Sequence, residues 1–223
     1  MDDACAPKRL HLWEKFLSES APVLFKVECY KSISSTMDNP PQGAHPYDAV
    51  SLVMAESQSG GRGTHGKLWI SPPGGFWGTF YVPLFSELPT SNSGTSNTYA
   101  LWQGVTLTIG QVVLATIESF IPCKKRFQLR VKWPNDILFS DCGLKVAGVL
   151  VESRGGWLRC GIGVNLQNET SSVDVAYSLI EYAKQFGADT LWIPTPVEFG
   201  GALASNVATL LLDWRKSKDC HAN

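Results

Sequence analysis

The sequence predicts an α+β or mixed α/β fold, a mixed β-sheet packed with helices, as a single domain over residues 1–223. Three observations predict it. Strand-length apolar runs are interleaved with helical patterns along the chain. Several strands also follow one another directly, one pair as a hairpin, which a doubly wound parallel sheet does not provide. And 223 residues, 44% apolar and 17% charged, suffice to bury a core without disulfide or metal staples.

Residues 8–18 are expected to form a short amphipathic helix, with Leu10, Trp13, Phe16 and Leu17 on one side. Residues 22–30 read as a strand, and Asp38-Asn39-Pro40-Pro41-Gln42-Gly43 as a loop by composition. Two apolar runs of strand length follow at 49–55 and 76–84, the second after the turn Pro72-Pro73-Gly74-Gly75. Residues 90–98, rich in Ser, Thr, Asn and Gly, are expected to be a surface loop. Leu101, Val105, Ile109, Val113, Ile117 and Phe120 then recur at helical spacing. Strands are expected at 129–133 and 137–139. Runs at 146–151 and 157–164 flank Ser153-Arg154-Gly155-Gly156, the pattern of a hairpin. The last helix starts with Thr195-Pro196-Val197-Glu198, a capping threonine, a proline at the first helical position and a reciprocal glutamate.

Composition excludes several function classes. Net charge is −1, with 19 basic and 20 acidic residues, which argues against affinity resting on nucleic-acid phosphates. No apolar run reaches the length of a membrane-spanning helix. The start Met1-Asp2-Asp3-Ala4-Cys5 fits neither a secretory signal nor a mitochondrial presequence, so the expected location is cytoplasmic. Six cysteines and four histidines lie scattered, with no C-x-x-C, so no structural zinc is expected and the cysteines read as reduced.

Gly61-Arg62-Gly63-Thr64-His65-Gly66-Lys67 contains G-x-G-x-x-G and approaches a Walker A, but Leu68 stands where the Ser or Thr belongs. Both templates need a helix to follow at once, and Pro72-Pro73 forbids its continuation. What remains is a backbone that can approach a ligand closely, with free N–H groups for an anion and cations at Arg62 and Lys67. Further on, Lys132-Trp133-Pro134-Asn135-Asp136 brings a cation, an amide and a carboxylate to a strand end. Lys145 opens the next strand and Asn165 closes the one after.

Glu56-Ser57-Gln58 through Gly61-Arg62-Gly63, Trp69-Ile70-Ser71-Pro72, Lys132-Trp133-Pro134-Asn135-Asp136, Lys145-Val146-Ala147-Gly148 and Gly161-Ile162-Gly163-Val164-Asn165 together resemble the catalytic domain of biotin protein ligases. The resemblance spans about Ile33 to Leu166. It implies a mixed sheet like that of class II aminoacyl-tRNA synthetases and lipoate ligases. It also implies a two-step reaction: biotin and MgATP give biotinyl-5′-AMP, and a lysine of a carboxylase's biotin-carrier domain then takes the biotinyl group. By this resemblance Lys145, Asp136 and Arg62 are catalytic. Ser35, Thr36, Gln58, Gly61, Arg62, Gly63 and Lys145 bind biotin. Thr64, Lys67, Trp69, Asn135 and Asn165 face the nucleotide, with Trp69 stacking on adenine. Asn135 and Asp136 assist Mg²⁺. His65 is expected to be merely solvated.

Two departures from the family pattern stand out. Thr64 occupies the place of a second arginine in G-R-G-R-x-G, and threonine supplies neither charge nor a bidentate fork. Only 58 residues follow Asn165, so the family's small C-terminal SH3-like barrel is expected to be absent, as is an N-terminal helix-turn-helix. Alternative readings are a lipoate or octanoate ligase or transferase on the same scaffold, or a non-catalytic biotin or adenylate binder.

Overall fold

The computed structural model describes residues 6–84, 96–122, 127–170 and 175–219. In chain order come α1 (Ala6–Ser20), β1 (Leu24–Ile33), β2 (Val50–Gln58), β3 (Phe76–Pro83), α2 (Ser96–Phe120), β4 (Leu129–Lys132), β5 (Asp136–Phe139), β6 (Lys145–Arg154), β7 (Trp157–Val164), α3 (Leu179–Gln185) and α4 (Pro196–Asp219). The strands form one seven-stranded sheet, β1-β2-β3-β7-β6-β5-β4, in which β1 and β2 run parallel and every other neighbour pair antiparallel. The sheet is mixed, as expected.

Strand alternation assigns the two faces. Val50, Leu52 and Met54 of β2, Phe76, Phe80 and Val82 of β3, and Leu158, Cys160, Ile162 and Val164 of β7 join the helices in one buried cluster. The helical stripes predicted from spacing are the ones that meet them. Ile109, Val113 and Ile117 of α2 and Phe199, Leu203, Val207 and Leu211 of α4 are fully buried. Removing such a side chain from water contributes about 1.5–3 kcal/mol each. The capping box of α4 forms: Thr195 Oγ1 accepts from the Glu198 amide, and Glu198 Oε2 accepts from the Thr195 amide at 2.8 Å.

Three local expectations are corrected, and one element was not foreseen. Residues 96–98 belong to α2 rather than to a loop; 90–95 lie outside the described residues. Strand β4 ends at Lys132, and the turn to β5 is Trp133-Pro134-Asn135 alone, with Asp136 already paired in the ladder. The β6–β7 turn is only Gly155-Gly156, at φ +58° and +74°, so Ser153 and Arg154 pair in the sheet. Two successive positive φ values make the primed turn that matches strand twist, and glycine adopts it without strain. The short α3 has no counterpart in the sequence reading. Its capping box, Ser178 with Glu181, was nevertheless written in the chain. Among the described residues no helix is long and apolar enough to cross a membrane.

Candidate active site

The sheet face away from the main helical core builds the site in rows, because residues opposite one another in an antiparallel ladder share a face. One row reads Ala55, Trp77, Gly163, Gly148, Asp136, Lys132. The next reads Val53, Thr79, Gly161, Leu150, and the third Ser51, Tyr81, Arg159, Glu152. Glycines at three neighbouring places leave a depression in an otherwise side-chain-covered surface. Trp69 fills part of it. A Cβ on Gly163 would lie 2.7 Å from the Trp69 ring, and one on Gly148 3.0 Å from it. Met37 lies over Gly161, where a Cβ would stand 2.5 Å from its sulfur.

The turn Thr36–Asp38 is bolted to rows two and three. Tyr81 Oη donates to the Thr36 carbonyl, and Arg159 Nη1 donates to the Met37 carbonyl at 2.7 Å. Burial pushes the Tyr81 phenol up, so it remains a donor, and Arg159 is 5% exposed. Thr79 Oγ1 donates to Thr36 Oγ1 at 2.8 Å. Thr36 in turn donates from its amide and hydroxyl to Gln58 Oε1, at 2.8 and 3.0 Å. Gln58 Nε2 donates to Ser71 Oγ at 2.8 Å, and Ser71 donates to the Trp69 carbonyl at 3.1 Å. One polar chain therefore links Thr36 and Gln58, expected to bind biotin, to Trp69, expected to stack on adenine. Ser35 Oγ accepts from the Met37 amide at 3.3 Å and keeps its own proton to donate.

The glycine-rich segment is a loop, as the prolines required, closed by a short 3₁₀ turn over Thr64–Gly66. His65 at its tip is exposed and takes φ +57°, a left-handed conformation in which histidine is enriched among non-glycine residues. The expectation of free glycine amides is corrected at Gly63, whose N–H donates to the Lys67 carbonyl at 2.7 Å. Gly61 is buried because its backbone is threaded between Trp69 and Ser71, where a Cβ would stand 2.4 Å from the Trp69 carbonyl oxygen. Arg62 is not a bare cation. It is paired with Asp38, and its other amino group donates to Glu152 Oε2 at 3.2 Å. Asp38 also accepts from Arg154. Burial raises the Asp38 pKa, but the hydrogen bonds from Arg154 and Arg62 outweigh it and hold the carboxyl below its ordinary range.

On row one, Lys145 Nζ lies 2.6 Å from Asp136 Oδ1 and 4.7 Å from the centre of the Trp69 ring. The Asn165 side chain is buried, donating to the Lys145 carbonyl at 3.5 Å and accepting from Asn168 at 3.0 Å. Two cavities meet at Trp69 and Lys145. A small one of about 40 Å³ is lined by Ser35, Thr36, Gln58, Arg62, Lys145 and Asn135, among others. A larger one of about 520 Å³ is lined by Lys67, Trp69, Lys132, Asp136, Lys145 and Asn165, among others. Gly63 and Thr64 border both. For Mg²⁺, the expected donors are the Asp136 carboxylate and the Asn135 amide; Glu169 adds a second carboxylate to the lining of the larger cavity, and no group of three His, Cys, Asp or Glu side chains that could hold a metal exists among the described residues. That set fits an ion carried by a polyphosphate rather than a protein cage.

The sequence reading missed Met37, Asp38, Glu152, Arg154 and Arg159 as parts of this site, and it gave Gly148, Gly161 and Gly163 no role. The glycines had a signal: Gly161 and Gly163 alternate within an apolar strand, the mark of a close approach on one face. The charged residues had none, because their meeting depends on strand register.

A family model described as the biotin/lipoate A/B protein ligase family matches residues 30–167. The human biotin–protein ligase is 31% identical over 152 residues, covering 65% of this chain and 19% of the human protein. The biotin–[acetyl-CoA-carboxylase] ligase of Paracoccus denitrificans is 34% identical over 120 residues, 51% of this chain and 43% of that protein. The chain thus spans less than half the length of these relatives. Among solved structures, the biotin protein ligase of Aquifex aeolicus in complex with biotin and ATP superposes with a TM-score of 0.63 at 23% identity, over 86% of this chain and 73% of that one. That of Leishmania major in complex with biotinyl-5-AMP superposes with a TM-score of 0.59 at 23% identity, over 84% and 75%. These two show the shared fold.

Proposed function

Because the chain belongs to the biotin/lipoate A/B protein ligase family, we propose that it activates biotin with ATP to biotinyl-5′-AMP and transfers the biotinyl group to a lysine of a carboxylase's biotin-carrier domain. The observation that carries this reading is the junction of the two cavities. Arg62 and Lys145 share one lining with Ser35, Thr36 and Gln58, and Lys145 also lines the other with Lys67, Trp69 and Asn165. A small polar cavity and a larger one therefore meet at a lysine.

The first step joins two anions. A carboxylate oxygen of biotin attacks the α-phosphorus, and the bond to pyrophosphate breaks. Arg62 and Lys145 offset the repulsion between carboxylate and phosphate, and donors aimed at developing charge in a dry site are worth far more than in water. Lys67 and Lys132 border the larger cavity, where the departing pyrophosphate charge would lie. Trp69 offers its face to adenine, and Asn165 an amide to the nucleotide. Mg²⁺ carried by the triphosphate would find Asp136 on the larger cavity and Asn135 on the neighbouring small one, and would supply further charge neutralisation.

In the second step a lysine amine attacks the mixed anhydride carbonyl and AMP leaves. That amine has an ordinary pKa near 10.4 and must shed a proton. Asp136 is the carboxylate paired with Lys145, where the two cavities meet. Its ion pair with Lys145 fits the sequence of events: as phosphate charge draws Lys145 away, Asp136 is released to accept from the incoming ammonium. The small cavity is far below the roughly 300–1,000 Å³ of ordinary ligand sites. Biotin entry therefore requires displacement, and Met37 is the adaptable side chain on that floor.

The test is to incubate the protein with MgATP, an acceptor domain and either biotin or lipoate, and to weigh the acceptor. A gain of one biotinyl group with biotin is expected. A gain only with lipoate would move the assignment to the sister activity of the family, and no gain with either acid would leave a binding module.

A further inference from the structure

The strongest feature outside the assigned roles is the group of charges around Asp38. This carboxylate ends the turn that carries Ser35 and Thr36, yet its partners lie on two other elements. One is Arg62 of the glycine-rich loop, and the other is Arg154 at the end of β6. Glu152, two residues before Arg154 on the same strand, takes the second amino group of Arg62 at 3.2 Å. A guanidinium has five donors in a rigid plane. Fixing both terminal nitrogens on carboxylates sets that plane and still leaves N–H bonds for a substrate oxygen.

We propose that Asp38 is a positioning residue for biotin: shared between Arg62 and Arg154, it pre-organises the Arg62 guanidinium over the small cavity and ties the glycine-rich loop to the Ser35–Thr36 turn. The idea rests on the reading of that cavity as the biotin site. Without Asp38, Arg62 would keep only Glu152, a single contact that permits rotation, and the arriving carboxylate would bear the cost of ordering a long side chain. Arg154 matters because it offsets the second negative charge. With Asp38 and Glu152 opposite Arg62 alone, the corner would repel a substrate carboxylate. Glu152 and Arg159 are register partners on this face, so Arg159 stands beside the same corner as a further cation. Arg159 also anchors the Met37 carbonyl, so the turn stays in place whichever way Asp38 is engaged.

The test uses Asp38→Asn, Asp38→Glu and Arg154→Gln in the whole chain. Labelled biotin is bound at equilibrium, and the biotin-dependent exchange of pyrophosphate into ATP gives kcat and the KM for each substrate. Asp38→Asn is expected to weaken biotin binding roughly tenfold, with the KM for ATP within twofold of wild type and kcat at saturating biotin lowered by less than the loss in binding. Asp38→Glu recovers part of the loss. Arg154→Gln weakens biotin about threefold and adds nothing in the Asp38→Asn background. Biotin binding within twofold of wild type in Asp38→Asn overturns the proposal, as does an equal loss for ATP and biotin. Should Asp38→Asn fail to fold, Arg154→Gln decides alone, and unchanged biotin binding in it overturns the proposal. A wild-type protein that binds no biotin overturns both this inference and the proposed function, whereas biotin bound equally by all variants overturns only the inference.

Discussion

Thr64 borders both cavities, at the place where the glycine-rich loop passes over the junction. A hydroxyl there donates one neutral hydrogen bond, whereas an arginine would present a charged fork to phosphate. If the proposed function holds, the chain is expected to grip the adenylate less firmly than an arginine at this position would allow. Thr64→Arg is expected to slow the loss of biotinyl-AMP roughly tenfold, about 1.4 kcal/mol, the lower edge of a hydrogen bond to a charged group. The fraction of labelled adenylate carried through desalting at successive times measures it, and equal decay in both proteins would show that the loop does not reach the phosphate.

Strands β6 and β7 shape the candidate site by what they lack. Gly148 and Gly163 face each other across the ladder and leave room for one indole, and the position of Trp69 follows from that gap. A methyl group on Gly163 would meet the rigid ring system at 2.7 Å. Gly163→Ala is accordingly expected to cost about 1–3 kcal/mol in overpacking and to raise the KM for ATP several-fold, with a smaller change for biotin. Gly104, exposed on α2 with nothing near its would-be Cβ, is the contrast. Gly104→Ala should leave both KM values alone and hold or raise thermal stability, since alanine favours a helix interior by about 1 kcal/mol. Equal effects of the two substitutions would deny the glycine floor its role.

Across the whole molecule, the sheet and its two long helices were legible because period 2 and period 3.6 are local patterns. The capping box at Thr195 was legible for the same reason. The failures have physical causes. The short α3 carries too few turns for periodicity to show. The order β3-β7-β6 brings together residues such as Glu152, Arg159 and Tyr81, and such pairings depend on register that no local window contains. Motifs led to Arg62, Lys145 and Asp136, but they could not tell that Arg62 would be held by Asp38 and Glu152 or that Lys145 would be paired with Asp136.

Under the proposed function the chemistry turns on Lys145, which stands where the two cavities meet. The most direct measurement is the exchange of labelled pyrophosphate into ATP, with and without biotin, by the wild-type chain and by Lys145→Ala. Exchange that requires biotin and falls at least about 100-fold in the variant is the predicted result, the scale of losing one donor aimed at developing charge. Exchange indifferent to biotin, or undiminished in Lys145→Ala, would contradict it.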